Sequence, residues 1–116
     1  MRDYTYCTDT VDAMIAMSNC KNAIGEVVNA GSGFEISIAE IIDKVFKIIG
    51  YELSIVQDKK RIRPNKSEVD RLFCDNTKAK KLMGWENRVS FDDGLKMTIK
   101  WVEEHLDLYD TNRYII

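Results

Sequence analysis

The 116-residue sequence predicts a layered α/β fold. Short β-branched or aromatic runs alternate with helix-patterned segments along the chain. The strongest helix pattern, opened by a Ser-x-x-Glu box and closed by glycine, lies between two such runs. The order read from the chain is β-α-β-α-β-loop-β-α-α, and residues 26–57 would make one right-handed βαβ crossover.

Taken in order, residues 2–7 (RDYTYC) alternate charged or polar with aromatic side chains, which predicts a short strand. Thr8 or Asp9 then caps a helix that buries Val11, Met14 and Ile15 and ends at Lys21, Asn22 and Gly25. Residues 26–30 (EVVNA) predict a second strand, stopped by the turn at residues 31–33 (GSG). Ser37 and Glu40 form the capping box of the next helix, with Ile38, Ile41, Ile42, Val45, Ile48 and Ile49 on its apolar face and Gly50 as its stop. Residues 51–57 alternate as a strand with Leu53 and Ile55 on one side. After the charge-rich stretch 61–71 (RIRPNKSEVDR), residues 71–75 predict another strand. A two-turn helix follows, started by Asp75 or Asn76 and closed by Gly84. Ser90 with Asp93 caps the last helix, whose stripe is Leu95, Ile99, Val102 and Leu106, flanked by Trp101. Residues 107–116 show no period.

Length and composition, with 45% apolar and 31% charged residues, fit a single globular domain over residues 1–116. A net charge of −2 argues against nucleic acid as a partner. No apolar run approaches the roughly 20 residues of a membrane span, and no apolar leader follows Met1, so a cytoplasmic protein without membrane contact is expected. Cys7, Cys20 and Cys74 lie far apart, and His105 is the single histidine. They read as reduced, packed thiols, with neither zinc-ligand spacing nor a Cys–His nucleophilic pair.

The GSG turn follows a strand and precedes a helix, the setting of a dinucleotide loop. Its third small position is Ile36, however, and the helix caps itself at Ser37, so a tight strand-to-helix turn is the better reading. The charged stretch offers Arg61 and Arg63 just ahead of Pro64, and Glu68 beyond it. Guanidinium forks suit phosphate oxygens, and a carboxylate suits sugar hydroxyls, so the set matches a nucleotide. By composition alone a solvated loop is the better reading. Arg2 beside Asp3 reads alone as a surface strand end, Tyr4, Tyr6 and Trp85 as packing residues, and His105 as exposed. Lys59 and Lys60 read as solubilising charges, and Asp92 and Asp93 as first-turn acids that suit the helix dipole.

Together, RDYTYCTDTVDAM, GEVVNAGSGFEISIAEI, RIRPNKSEVDRLFCDNTKAKKLMGW and FDDGLKMTIKW resemble the C-terminal part of extended short-chain dehydrogenases acting on nucleotide sugars. The resemblance is to the NAD-dependent epimerase/dehydratase group, and within it to the GDP-mannose and UDP- or GDP-N-acetylglucosamine 4,6-dehydratases. It implies a small mixed α/β domain equivalent to the substrate-binding part, without the Rossmann half that holds NAD(P) in a full-length parent. By that resemblance Arg2 touches the diphosphate, Arg63 or Arg61 adds a second phosphate contact, and Glu68 holds the ribose hydroxyls. Cys7 takes a position where the family has valine, which implies a packed site.

No tyrosine here has lysine four residues later, as the family's Tyr-x-x-x-Lys pair requires, and no G-x-x-G-x-x-G cofactor loop occurs. The expectation is therefore a fragment that binds a UDP-, GDP- or dTDP-linked sugar, holds no cofactor and contributes no catalytic residue. The alternative is an interaction module that self-associates through the surface left by the missing half. In either case residues 26–30 should lack strand neighbours.

Overall fold

The computed structural model describes residues 1–56 and 69–109. Two short strands, β1 (Arg2–Asp3) and β2 (Glu35–Ile36), pair antiparallel, with Arg2 opposite Ile36 and Asp3 opposite Glu35. Among the described residues four α-helices accompany them: α1 (Cys7–Asn19), α2 (Ile38–Ile49), α3 (Thr77–Met83) and α4 (Phe91–Glu104). Single 3-10 turns occupy Lys21–Ala23 and Leu106–Leu108. The mixed α/β class stands, but helices outweigh strands among the described residues.

The ends of α2 and α3 and the start of α4 follow the sequence closely. In α2 the Ser37 hydroxyl accepts from the Glu40 N–H at 3.2 Å, and the Glu40 carboxylate accepts from the Ser37 N–H at 2.9 Å. Gly50 closes α2 at φ +83°, a conformation that glycine adopts without Cβ strain. Ser90 caps α4 by accepting from the Asp93 N–H at 3.1 Å. Asp75 accepts the Thr77 N–H at 2.9 Å at the start of α3, and Gly84 closes that helix. The 260 Å³ cleft between α2 and α4 is lined by Tyr4, Tyr6, Ile41, Phe91 and Leu95, with Gly94 letting the Tyr6 ring approach.

The strand expectations need correction. The first strand stops at Asp3, and residues 7–19 are helix, so Tyr6 rather than Thr8 or Asp9 is the N-cap. Residues 26–30 and 51–56 are not strands, and residues 71–75 contribute only one bridge, Leu72 to Arg2. The βαβ crossover therefore does not form, and the strand before α2 is Glu35–Ile36, which alternation alone did not single out. Residues 71–75 instead bond to β1 through Asp3 N–H to Leu72 C=O at 3.0 Å and Leu72 N–H to Met1 C=O at 3.1 Å. Leu106 lies in the 3-10 turn beyond α4, and the Trp101 ring stacks on His105 with centroids 4.4 Å apart. His105 is half-buried rather than exposed, with Nδ1 donating to the Trp101 carbonyl at 2.7 Å.

The core cluster sets two alanines against one tryptophan. Ala13, Ala79 and Trp85 are buried together, with Ala16, Val28 and Met83 packed against them. Val11, Met14 and Ile15, expected inside, are 53%, 66% and 53% exposed. Helix α1 turns its alanines inward because Asp9 shares their face, and that carboxylate, 2% exposed, accepts from the Arg88 and Val89 N–H groups at 3.2 and 3.0 Å. Cys7, expected in a packed site, is exposed, while Cys20 and Cys74 are partly covered.

Gly31 is required by contact rather than by backbone angle. A Cβ there would sit 2.4 Å from the Cys74 Cβ and 2.6 Å from its sulfur. Gly31→Ala should lower stability by about 2 kcal/mol through this overlap, and urea unfolding measures it. Cys74→Gly in the same chain should recover part of the loss, since it removes both clashing atoms.

Surface ion pairs add a small acid sensitivity. The Arg71 hydrogen bond holds the Glu35 carboxyl below its ordinary 4.5, and Lys78 does the same for Glu26. A carboxyl lowered in the folded state adds stability that is complete above its unfolded pKa and lost as pH falls through the folded value. Thermal unfolding should therefore show stability falling with pH below 4.5, and Arg71→Ala should flatten that dependence.

Candidate functional site

One carboxylate fastens three separate stretches of chain. Asp3 Oδ1 accepts from the Ser32 N–H at 3.0 Å and from the Ser32 hydroxyl at 2.5 Å. Its Oδ2 accepts from the Gly33 N–H at 2.9 Å and the Cys74 N–H at 3.2 Å. The glycine turn thus forms a small nest of N–H donors, of the kind that cradles anions, already filled by the protein's own anion. Asp3 reads in sequence as a strand-end surface residue, and the structure corrects this. The signal available was the turn itself: consecutive amides in a GSG turn need an acceptor, and a carboxylate on a paired strand supplies one.

Side chains alternate along a strand, so Arg2 faces away from Asp3. Arg2 Nη1 donates to the Val69 carbonyl at 2.6 Å and the Met1 carbonyl at 2.8 Å. Val69 lies within the charged stretch, is its first described residue and follows Glu68 directly in the chain. The structure therefore sets Arg2 against the last part of that stretch, residues 69–71. Arg61, Arg63, Glu68, Lys59 and Lys60 lie outside the described residues.

A cleft of about 480 Å³ opens beside the Asp3 junction, lined by Asp3, Val28, Asn29, Ala30, Leu72, Phe73 and Cys74. Burial, and then the negative charges of Asp3 and Asp75, push the Cys74 thiol above its ordinary value, so it stays protonated and is a poor nucleophile. Among the described residues no group of three or more His, Cys, Asp or Glu is placed to hold a metal. No described helix is long and apolar enough to cross a membrane. Tyr4 meets Phe91 edge to face with centroids 6.2 Å apart but is 41% exposed, whereas Trp85 is buried.

The glycine turn does not fit the pyrophosphate of a dinucleotide. Its Ser32 and Gly33 amides are engaged by Asp3, which leaves neither for a phosphate, and Ile36 is buried in β2. Nor does the turn open a helix directly, because β2 intervenes.

Known proteins resemble this chain over nearly all of its length. The family model described as GDP-mannose 4,6 dehydratase matches residues 1–98. A UDP-glucuronate 4-epimerase of Thermodesulfobacterium geofontis is 34% identical over 92% of this chain and 32% of its own length. A putative UDP-glucose 4-epimerase of Methanocaldococcus jannaschii is 33% identical over 90% of this chain. Among solved structures, an epimerase from Methanothermobacter thermautotrophicus superposes with a TM-score of 0.80 at 32% identity, covering 91% of this chain and 31% of that one. The UDP-glucose 4-epimerase of Thermotoga maritima, solved with UDP-glucose, gives 0.77 at 32% identity, covering 90% and 32%. A Bacillus cereus UDP-glucuronic acid 4-epimerase solved in complex with NAD gives 0.72 at 26% identity, over 97% of this chain and 33% of its own. The chain spans about a third of the length of the relatives it matches. The model names a dehydratase, while these relatives are epimerases, so the narrower likeness to 4,6-dehydratases does not follow from them.

The Asp3 junction generates its own test. Asp3→Ala should destabilise the chain by about 3 kcal/mol, because three backbone N–H groups lose a charged acceptor, as read by urea denaturation. Asp3→Asn, which keeps one acceptor oxygen, should lose less.

Proposed function

The chain belongs to the GDP-mannose 4,6 dehydratase family of nucleotide-sugar epimerases and dehydratases, and from that premise we propose that it is the family's nucleotide-sugar-binding part. Arg2 and one of Arg61 or Arg63 hold the diphosphate, and Glu68 holds the ribose hydroxyls. The observation that carries this reading is the Arg2–Val69 hydrogen bond of 2.6 Å. It ties the β1 arginine to the residue that directly follows Glu68 in the chain.

The favoured ligand is a UDP-linked hexose, supported by UDP-sugar enzymes among relatives above 30% identity and by a UDP-glucose complex among similar folds. Interconversion at the sugar's C4, rather than loss of water across C5 and C6, is the parent reaction these relatives favour. This chain contributes recognition, not turnover: it has neither the Tyr-x-x-x-Lys pair nor a glycine turn able to seat NAD.

Calorimetric titration with UDP-glucose tests the proposal. Binding in roughly the millimolar range is expected from a clamp that closes on one side only. Arg63→Ala and Glu68→Ala should each weaken it about tenfold, the scale of one charge-assisted contact. Absence of heat with UDP-, GDP- and dTDP-hexoses alike would refute the reading.

A further inference from the structure

Strand β1 is held along both edges. On one edge β2 pairs with it, Asp3 lying opposite Glu35, and on the other Leu72 bridges to Arg2 in parallel. Residues directly opposite in such a pair share a face, so Glu35 lies on the Asp3 face, the one that Arg2 turns away from.

The stretch that leads into the Leu72 bridge also reaches across β1. The Arg71 guanidinium grips the Glu35 carboxylate with two bonds, Nε donating to Oε2 at 3.1 Å and Nη2 donating to Oε1. Apolar burial does little to fix this stretch, since Val69 and Leu72 are 51% and 52% exposed. Its ties are polar. The Met1 amine donates to the Asp70 carbonyl at 2.5 Å, and Leu72 makes main-chain bonds to Met1 and Asp3. Among the described residues Arg71 is the side chain that bonds the stretch to β2. A two-point guanidinium fork fixes direction as well as distance. Val69 lies two residues before Arg71, and its carbonyl receives Arg2 Nη1 at 2.6 Å. Holding Arg71 therefore holds that carbonyl, and the carbonyl holds the arginine bonded to it.

We propose that Arg71 and Glu35 are positioning residues for Arg2: their ion pair sets the Val69 carbonyl, which orients the Arg2 guanidinium toward a diphosphate. The inference rests on the recognition role proposed above. Arg71 is exposed while Glu35 is largely covered, and an ion pair with an exposed partner adds little to stability. Orientation gives the pair an effect that its stability contribution does not. Neither residue touches the ligand, and each acts through Val69.

Glu35 gives the test a sign. Removing an acid near a bound diphosphate strengthens binding where the acid acts through charge alone. Where it acts through Arg71, its removal weakens binding. Titration of UDP-glucose, by calorimetry or amide chemical shifts, reads the difference. Glu35→Ala and Arg71→Ala should each weaken binding about threefold, the scale of one partly exposed ion pair. The two together should cost no more than either alone, and Arg71→Ala should add nothing in an Arg2→Ala background, because the groups act in one series. Exchanging the charges, Glu35→Arg with Arg71→Glu, should restore most of the affinity. Arg71→Lys, which keeps the charge but not the fork, should show part of the loss and serves if an alanine variant fails to fold. Lys80→Ala, which breaks the exposed Lys80–Glu86 pair elsewhere on the surface, should bind as the unaltered chain does.

Tighter binding by Glu35→Ala, or unchanged binding by Arg71→Ala and Arg71→Lys, overturns the inference and leaves the recognition role standing. Losses from Arg2→Ala and Arg71→Ala that multiply also overturn it, because Arg71 then acts without Arg2. Failure of the unaltered chain to bind UDP-, GDP- or dTDP-hexoses refutes the recognition role itself, and this inference with it.

Discussion

The fold depends on the Asp3 carboxylate. It collects the backbone N–H groups of Ser32, Gly33 and Cys74, which come from two loops far apart in sequence. Without an internal acceptor these amides would be left half-dry where the two loops meet β1, a cost of about 1–3 kcal/mol for each unpaired group. The same junction requires Gly31, because the Cys74 side chain fills the space its Cβ would take. Asp9 repeats the device at the start of α1, where it gathers the Arg88 and Val89 amides and so sets the approach to α4.

Such polar clips matter here because apolar burial is thin. Among the described residues no large side chain is fully buried, and the central cluster rests on Ala13, Ala79 and Trp85. Burying alanine removes little apolar area, so each such position contributes far less than a buried leucine would. Helix α2 shows the same deficit: its isoleucines at 41, 42, 48 and 49 are only half-covered, although its pattern is that of a core helix. A carboxylate bonded to several amides fixes position without needing bulk, which suits a domain whose broad apolar faces look outward.

Apart from the ends of α1, the local signals in the sequence match the structure, and the long-range pairing does not. The Ser37–Glu40 box, the Ser90 cap and the stops at Gly50 and Gly84 depend on atoms a few residues apart, so the pattern contains all that decides them. Strands at residues 26–30 and 51–56 were misread because β propensity measures fit to a neighbouring strand, and no neighbour exists among the described residues. The α1 face was misjudged for a related reason: periodicity locates an apolar stripe but not which layer meets it. Of the candidate clamp, Arg2 could be placed, while Asp3 was passed over because its partners lie 29 and 71 residues away.

Arg2 and Asp3 indicate how one short strand could serve both stability and the proposed recognition. Alternation sends Asp3 into the glycine turn and Arg2 toward Val69, so neighbouring residues act on opposite sides of β1. The arrangement also separates charges usefully. Asp3 is surrounded by donors that absorb its negative charge, which limits its repulsion of any phosphate gathered by Arg2. A phosphate clamp built on β1 gains a backbone held from behind by several hydrogen bonds, so its arginine is positioned before ligand arrives. Pre-positioning of that kind lowers the ordering cost of binding. It can be built only where the strand's other side is already anchored, and that makes the Asp3 junction the physical condition for the proposed recognition by Arg2.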